Sequence, residues 1–267
     1  MGQRTSLPWT GGGSKLLGML PVETERRRAR AAAAGGDEKR AYVRRIFSEI
    51  APRYDLLNHV LSFNIDRGWR ARAIDALSLE RAADGVYLDL CAGTLDVAAE
   101  LAARKGFRGS VLGADFAEPM LRRGRGKVRR LPVAPVVADA LQLPIPDRAL
   151  SGVIVAFGVR NFADLDGGLR ESCRVLEPGG RLVILEFSTP RSGLVRLGYG
   201  LYSRLVLPTV GRLVSGHPTA YSYLPDSVAR FPDAAALGSR MRRAGFTDVT
   251  WETPTLGVVA IHVGVRA

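Results

Sequence analysis

Several acids and one glycine lie where a nucleoside could be held. Val86-Tyr-Leu-Asp89-Leu-Cys-Ala-Gly93-Thr94-Leu-Asp96 is an apolar strand running into a turn of small residues, and the next apolar run, Val111-Leu-Gly-Ala-Asp115, ends in a carboxylate. An acid about 20 positions past such a turn can accept from both hydroxyls of a ribose, and the turn lets a ligand approach bare backbone. A third apolar run from Val133 ends at Asp139 and Ala140, where a carboxylate can accept from the exocyclic amine of an adenine.

The turn narrows the choice of adenosine ligand. A dinucleotide calls for G-x-G-x-x-G, because its pyrophosphate rests on backbone at a helix N-terminus. Only Gly93 is present here. S-adenosylmethionine has no phosphate and needs one close approach plus polar groups for its amino-acid tail, which Ala92-Gly93-Thr94 with Asp96 supplies. On this segment alone, an ordinary strand-to-helix turn explains the residues equally well.

The elements that must position these acids follow. After Leu143-Pro-Ile-Pro-Asp147 comes the strand Gly152 to Phe157, then a helical stretch from Leu165 to Leu176, a turn at Glu177-Pro-Gly-Gly180, the strand Arg181 to Phe187, and a helix around Ala234 to Ala244. Near-continuous apolar strands alternating with helices describe an α/β parallel sheet covered on both faces, with ligands at the carboxyl ends of its strands. At 267 residues and 46% hydrophobic content the chain can bury one full core. No apolar run reaches the ~18 to 20 residues of a membrane span. Cys91 and Cys173 have neither disulfide nor metal spacing, so a cytoplasmic, reducing setting is expected and Cys91 reads as a small buried side chain.

Residues 1–40 read as a low-complexity basic arm, with Gly11-Gly-Gly-Ser and Arg26-Arg-Arg-Ala-Arg, and 41–267 as the folded domain. Met1-Gly2 to Ser6 fits a myristoylation pattern of the length that arises by chance. The net charge of +12 favours polyanions. Its densest cluster, Arg122 to Arg130, reads as the solvated face of one helix and lacks the aromatics of a base-stacking platform. Nucleic acid and an anionic membrane face both answer to such a charge.

Val43-Arg-Arg-Ile-Phe-Ser-Glu-Ile-Ala-Pro-Arg-Tyr54-Asp55-Leu-Leu-Asn58, Leu61 to Arg70, Phe157-Gly-Val-Arg160-Asn161, Arg174 to Phe187 and Ser222-Tyr-Leu-Pro-Asp-Ser-Val-Ala-Arg-Phe-Pro232 together resemble the quinone-biosynthesis C-methyltransferases, in order from Tyr42 to the C-terminus. The resemblance implies a Rossmann-like class I methyltransferase: a doubly wound, mostly parallel seven-stranded sheet with an N-terminal helical cap and an insertion before the last helix. The cap elements would be 42–80 and 188–232. It implies C-methylation of a polyprenyl quinol, either demethylmenaquinol or, alternatively, 2-methoxy-6-polyprenyl-1,4-benzoquinol. By position, Thr94 and the turn with Gly93 would face the methionine end of S-adenosylmethionine, Asp115 the ribose, Asp139 and Ala140 the adenine, and Ala156 the cofactor edge, with Asp89 also among the cofactor-binding residues. A homodimer or a quinone-synthesis complex, peripheral at the inner face of the membrane, would fit such a protein. Because the resemblance implies a polyprenyl lipid substrate, the anionic membrane face, not nucleic acid, is the expected partner.

Chemistry follows as an expectation. A hydroquinone carbon becomes nucleophilic when the neighbouring hydroxyl loses its proton, so Arg160 and Asn161, just past the fourth strand, would hold the ring oxygen. Tyr54 and Asp55 would relay the proton, while His59 and His217 stand alone and read as structural. Leu194 to Pro208, apolar with interspersed arginine, is longer than a crossover needs and would shelter the lipid. Two departures from the family pattern stand out: Leu95 occupies the second glycine of Gly-Thr-Gly-Asp, and Ala156 replaces a frequent serine. Leu95 is expected to begin the helix, where leucine is favourable. The charge also suits a methyltransferase for RNA or another small molecule, and the lack of Asn-Pro-Pro-Tyr after the fourth strand argues against base methylation. A non-catalytic lipid-binding scaffold would tolerate Leu95.

Overall fold

A computed structural model describes residues 36–54, 64–190, 192–201 and 220–267. Its seven strands are β1 (Val86–Leu90), β2 (Ser110–Asp115), β3 (Val133–Val137), β4 (Leu150–Ala156), β5 (Leu176–Phe187), β6 (Phe246–Glu252) and β7 (Val259–Arg266), in the order β3-β2-β1-β4-β5-β7-β6. β1 to β5 are parallel, and β7 lies antiparallel between β5 and β6. Strand order reverses between β1 and β4, which opens a crevice at their carboxyl ends.

The principal helices among the described residues are α1 (Gly36–Ile50), α2 (Ile65–Asp75), α3 (Asp96–Ala102), α4 (Glu118–Val128), α5 (Leu165–Val175), α6 (Gly193–Leu201), α7 (Ala220–Arg230) and α8 (Ala234–Arg243). The central strands are apolar throughout because helices cover both faces. On one face Ala73, Ile74, Ala98 and Leu101 pack on Tyr87, Ile154 and Val183. On the other, Leu169, Val175, Leu237 and Met241 pack on Leu88, Val153 and Val155. α4 buries Met120, Leu121, Gly124 and Val128 and turns Arg122, Arg123 and Arg125 outward, so the basic run is the solvated face of one helix.

β5 is assigned through Glu177-Pro-Gly-Gly180, where only a turn was expected. Gly179 has φ +82° there, and the pairing with β4 slips between Leu150 and Gly152, so the turn survives as an irregularity in a long strand.

α1 starts at Gly36, inside the stretch read as arm, and leads into a 3-10 turn at Ala51–Arg53. Tyr42, Val43, Ile46 and Ile50 bury against Tyr223 of α7. Ala51 packs with Ala117 and Met120 at the head of α4. These contacts hold the N-terminal elements over the carboxyl end of the sheet. Asp55, His59 and His217 lie outside the described residues, as does 202–219 of the insertion, whose described helices are α6 and α7. Among the described residues no helix is long and apolar enough to cross a membrane, and no cluster has the make-up of a metal site.

Candidate active site

The turn after β1 alternates in handedness. Cys91, Gly93 and Leu95 have φ of 61°, 53° and 64°, so the chain coils tightly between strand and helix. Asp115 clamps this coil from the end of β2: Oδ2 accepts the Gly93 N–H at 2.9 Å and Oδ1 accepts the Ala117 N–H at 2.8 Å. Burial raises its pKa, opposed by backbone N–H groups of Ala117, Gly93 and Phe116. Each oxygen keeps a second lone pair for a ribose hydroxyl. Gly124 of α4 supports the coil from below, since a Cβ there would lie 2.3 Å from the Thr94 carbonyl oxygen.

Leu95 does not begin the helix in a helical conformation. It is the left-handed residue before Asp96, fully buried, and its Cδ2 occupies the space that a side chain on Gly113 would need, 2.4 Å from such a Cβ. A leucine in this conformation carries on the order of 1 to 2 kcal/mol of strain, but a buried leucine contributes about 2 to 5 kcal/mol. Packing wins, so Leu95→Gly will lower stability by about 1 to 3 kcal/mol despite relieving φ, and chemical denaturation will register the loss. A Leu95→Gly protein as stable as the parent would show that strain dominates.

Asp89 and Thr94 serve the fold more directly than expected. Asp89 is 1% exposed, and its Oδ2 accepts the Ala98 N–H at 2.9 Å, which caps α3 in place of the side chain Leu95 cannot offer. Thr94 is 2% exposed, and its hydroxyl accepts from Lys127 Nζ at 3.1 Å. Lys127 also pairs with Asp96 at 2.7 Å, tying the basic helix to the turn. Burial first, then repulsion from Asp115 and Asp96, pushes the Asp89 pKa up to about 7. The folded state therefore holds a proton that the unfolded chain releases near pH 4, so stability is full below that value and falls as pH rises to about 7. Urea midpoints between pH 5 and 8 will show this decline, and Asp89→Asn will flatten it. An unchanged slope would mean that the carboxyl ionises without cost.

Asp115, Asp139, Ala140 and Asn161 do converge, on a cavity also lined by Arg40, Cys91 and Phe116. Asp139 Oδ1 accepts the Leu141 N–H at 2.9 Å, while Oδ2 pairs with Arg40 of α1 at 2.5 Å. The Arg40 side chain is 55% exposed, so the pair is readily exchanged for an adenine amine. The donor set fits the adenosine half of S-adenosylmethionine: a carboxylate at the ribose end, a second at the adenine end, and the Phe116 ring among the walls. Cys91 is an inert wall, because burial and then the charges of Asp115 and Asp89 hold its thiol well above the ordinary range. Tyr54 reaches the turn from the cap, with Cε1 3.7 Å from a Cβ built on Gly93. Ala156 ends β4 and packs against the core.

Arg160 does not present a free charge. Its Nη1 donates to Glu186 Oε1 at 2.7 Å and to the Phe157 carbonyl oxygen, with the two ion-pair side chains 8% and 1% exposed. The guanidinium lies over Phe187, 5.5 Å from the ring centre, and Phe187 adjoins Phe157 and then Trp69 in an aromatic row. Arg160 Nε is buried with no hydrogen-bond partner among the described residues. Beside it, the Tyr223 hydroxyl donates to Asn161 Oδ1 at 3.2 Å. Burial pushes the Tyr223 pKa up to about 12, against the lowering effect of Arg160, so it stays a donor. Glu186 and Tyr223 were missed as site residues. The signal for Glu186 was available: an acid that directly follows the apolar run Leu182-Val-Ile-Leu185.

The crevice at the β1/β4 reversal, the ribose-type carboxylate after β2 and the single-glycine coil define a class I S-adenosylmethionine-dependent methyltransferase. Solved structures agree on the fold: a possible histamine N-methyltransferase from Thermotoga maritima superposes with a TM-score of 0.57 at 18% identity, over 84% of this chain and 99% of that one. The model of the ubiE/COQ5 methyltransferase family matches residues 35–266, and the chain belongs to that family. A demethylmenaquinone methyltransferase of Thermus thermophilus is 52% identical over 83% of this chain and 100% of its own length. One from Deinococcus radiodurans is 46% identical over 85% and 93%, and a ubiquinone/menaquinone biosynthesis C-methyltransferase UbiE of Geobacter sulfurreducens is 43% identical over 86% and 90%.

Proposed function

We propose that this protein methylates a ring carbon of demethylmenaquinol, giving menaquinol, with S-adenosylmethionine as donor. The observation that carries this is the 52% identity to a demethylmenaquinone methyltransferase matched over its entire length. Bound beside Gly93 and Asp115, the cofactor supplies an electrophilic methyl group. The chain's own part is to hold the quinol, loosen its hydroxyl proton and keep water out.

Arg160 is suited to hold the ring oxygen. Glu186 fixes its guanidinium in one orientation over Phe187, and its unpartnered Nε–H is the buried donor an oxyanion would satisfy. Lys39 adds positive potential, being half-buried near Arg160 with its pKa lowered by burial and then by that neighbour. Tyr223 fixes the carboxamide of Asn161, leaving the amide nitrogen to donate. Tyr54, above the turn, and Asp55 are the proposed proton relay. Phe157, Phe187 and Trp69 give the fused ring and first isoprene unit an apolar surface.

Incubation with S-adenosylmethionine and chemically reduced demethylmenaquinone, followed by mass spectrometry, tests the reading. Menaquinone is the expected product, and no methylated product would refute it. The similarity to the Geobacter sulfurreducens protein favours a second substrate, the methoxy-polyprenyl benzoquinol. Quinone profiling of a strain lacking the protein separates the two by the precursor that accumulates. A scaffold without catalysis would fail to bind S-adenosylmethionine in calorimetry.

A further inference from the structure

The turn joining β6 to β7 carries backbone strain at two successive residues. Thr255 and Leu256 both adopt left-handed backbone, φ 54° and 57°, and Leu256 stands 75% exposed at the tip. Two non-glycine residues held in that region, one displaying a large apolar side chain to water, mark a segment whose environment supplies a compensation. The turn is firmly held. Trp69 Nε1 donates to Thr255 Oγ1 at 2.8 Å, and the Ser188 N–H donates to the Val258 carbonyl oxygen at 2.9 Å.

Its place in the fold says what it meets. Val259 pairs with Phe187, so the turn sits at the carboxyl end of the sheet, on the same edge as the cofactor coil. The sheet order puts β7 three strand spacings from β1, about 14 Å. The aromatic row Trp69, Phe157, Phe187 lies between them. Ile65, four residues before Trp69 and so on the same face of α2, is a second apolar side chain left 49% exposed. Exposed Arg67 and Arg72 flank it, the latter paired with Glu252 at 3.4 Å. An apolar tip beside arginines, on a chain of net charge +12, suits an anionic lipid surface.

We propose that the turn Thr253 to Val258, with Leu256 at its tip and Ile65 on the adjoining helix, is the edge this protein inserts into an anionic bilayer, so that a prenyl chain passes from lipid along the aromatic row to the active site. The occupant rests on the quinol reading, because only a lipid substrate requires that passage.

Leu256→Gly is the informative variant, since glycine adopts the same backbone without strain and the turn is preserved. Full-length protein is sedimented with phosphatidylglycerol-containing vesicles and, separately, with phosphatidylcholine alone. The parent is expected to partition preferentially onto the anionic vesicles, Leu256→Gly about ten-fold more weakly, and Leu256→Phe at least as well as the parent. In detergent, with a short-chain quinol, Leu256→Gly should turn over like the parent. Undiminished vesicle binding by both Leu256→Gly and Ile65→Ser overturns the proposal. So does a turn that mediates self-association of the chain without any lipid binding. Failure of the parent to methylate any quinol, with Leu256-dependent vesicle binding intact, would sink the substrate reading and leave the membrane edge standing.

Discussion

Arg160→Ala will lower stability by about 3 to 5 kcal/mol and reduce turnover about 100- to 1000-fold, while the affinity for S-adenosylmethionine stays close to that of the parent. The stability loss follows from Glu186, which at 1% exposure becomes a buried charge without its cation. The turnover loss follows from removing the donor proposed to hold the ring oxygen. Cofactor affinity is spared because Arg160 is absent from the walls of the adenosine cavity. The double variant Arg160→Ala, Glu186→Gln separates these effects: it should recover most of the stability and none of the rate. Denaturation curves, steady-state kinetics and calorimetry on the three proteins decide the matter. Normal turnover in the double variant would remove Arg160 from the chemistry, and a collapse of cofactor binding would make it part of that site instead.

The second large effect concerns Asp115. Asp115→Ala will weaken S-adenosylmethionine binding by about 100-fold or more, since the two charge-assisted hydrogen bonds proposed to the ribose, each worth about 1.5 to 3 kcal/mol, go with the carboxylate. The same change releases the N–H groups of Gly93 and Ala117, so the coil proposed to receive the methionine end loses its clamp. Asp139→Ala should cost much less, because one adenine contact is lost and Arg40 already competes for that carboxylate. Calorimetry gives the ranking directly. Equal affinities for Asp115→Ala and the parent would displace the cofactor from this crevice.

Much of the architecture was legible in the residue order. A strand covered on both faces must be apolar along its whole length, so β1, β2, β4 and β5 announce themselves as runs, and each acid that ends a run falls at the ligand-binding edge. The match of Phe157-Gly-Val-Arg-Asn161 and Arg53-Tyr-Asp-Leu-Leu-Asn58 to a family pattern pointed to the same edge. Asp89 was legible as a strand acid but not as a helix cap. Its partner, Ala98, sits on a helix whose N-cap residue, Leu95, offers no capping side chain.

By itself, then, the order of amino acids determined the sheet and the cofactor class and marked the carboxylates proposed to hold it, because periodicity and short-range spacing act within a few residues of chain. Only the tertiary structure decided how charge and strain are distributed. Arg160 meets Glu186 across 26 positions and Asn161 meets Tyr223 across 62, and such pairings depend on how helices and strands stack. Leu95 keeps a conformation that glycine would favour because Gly113, on the neighbouring strand, leaves room for its side chain in the core. Burial energy gathered from distant parts of the chain outweighs the local backbone preference there, and no local pattern records that sum.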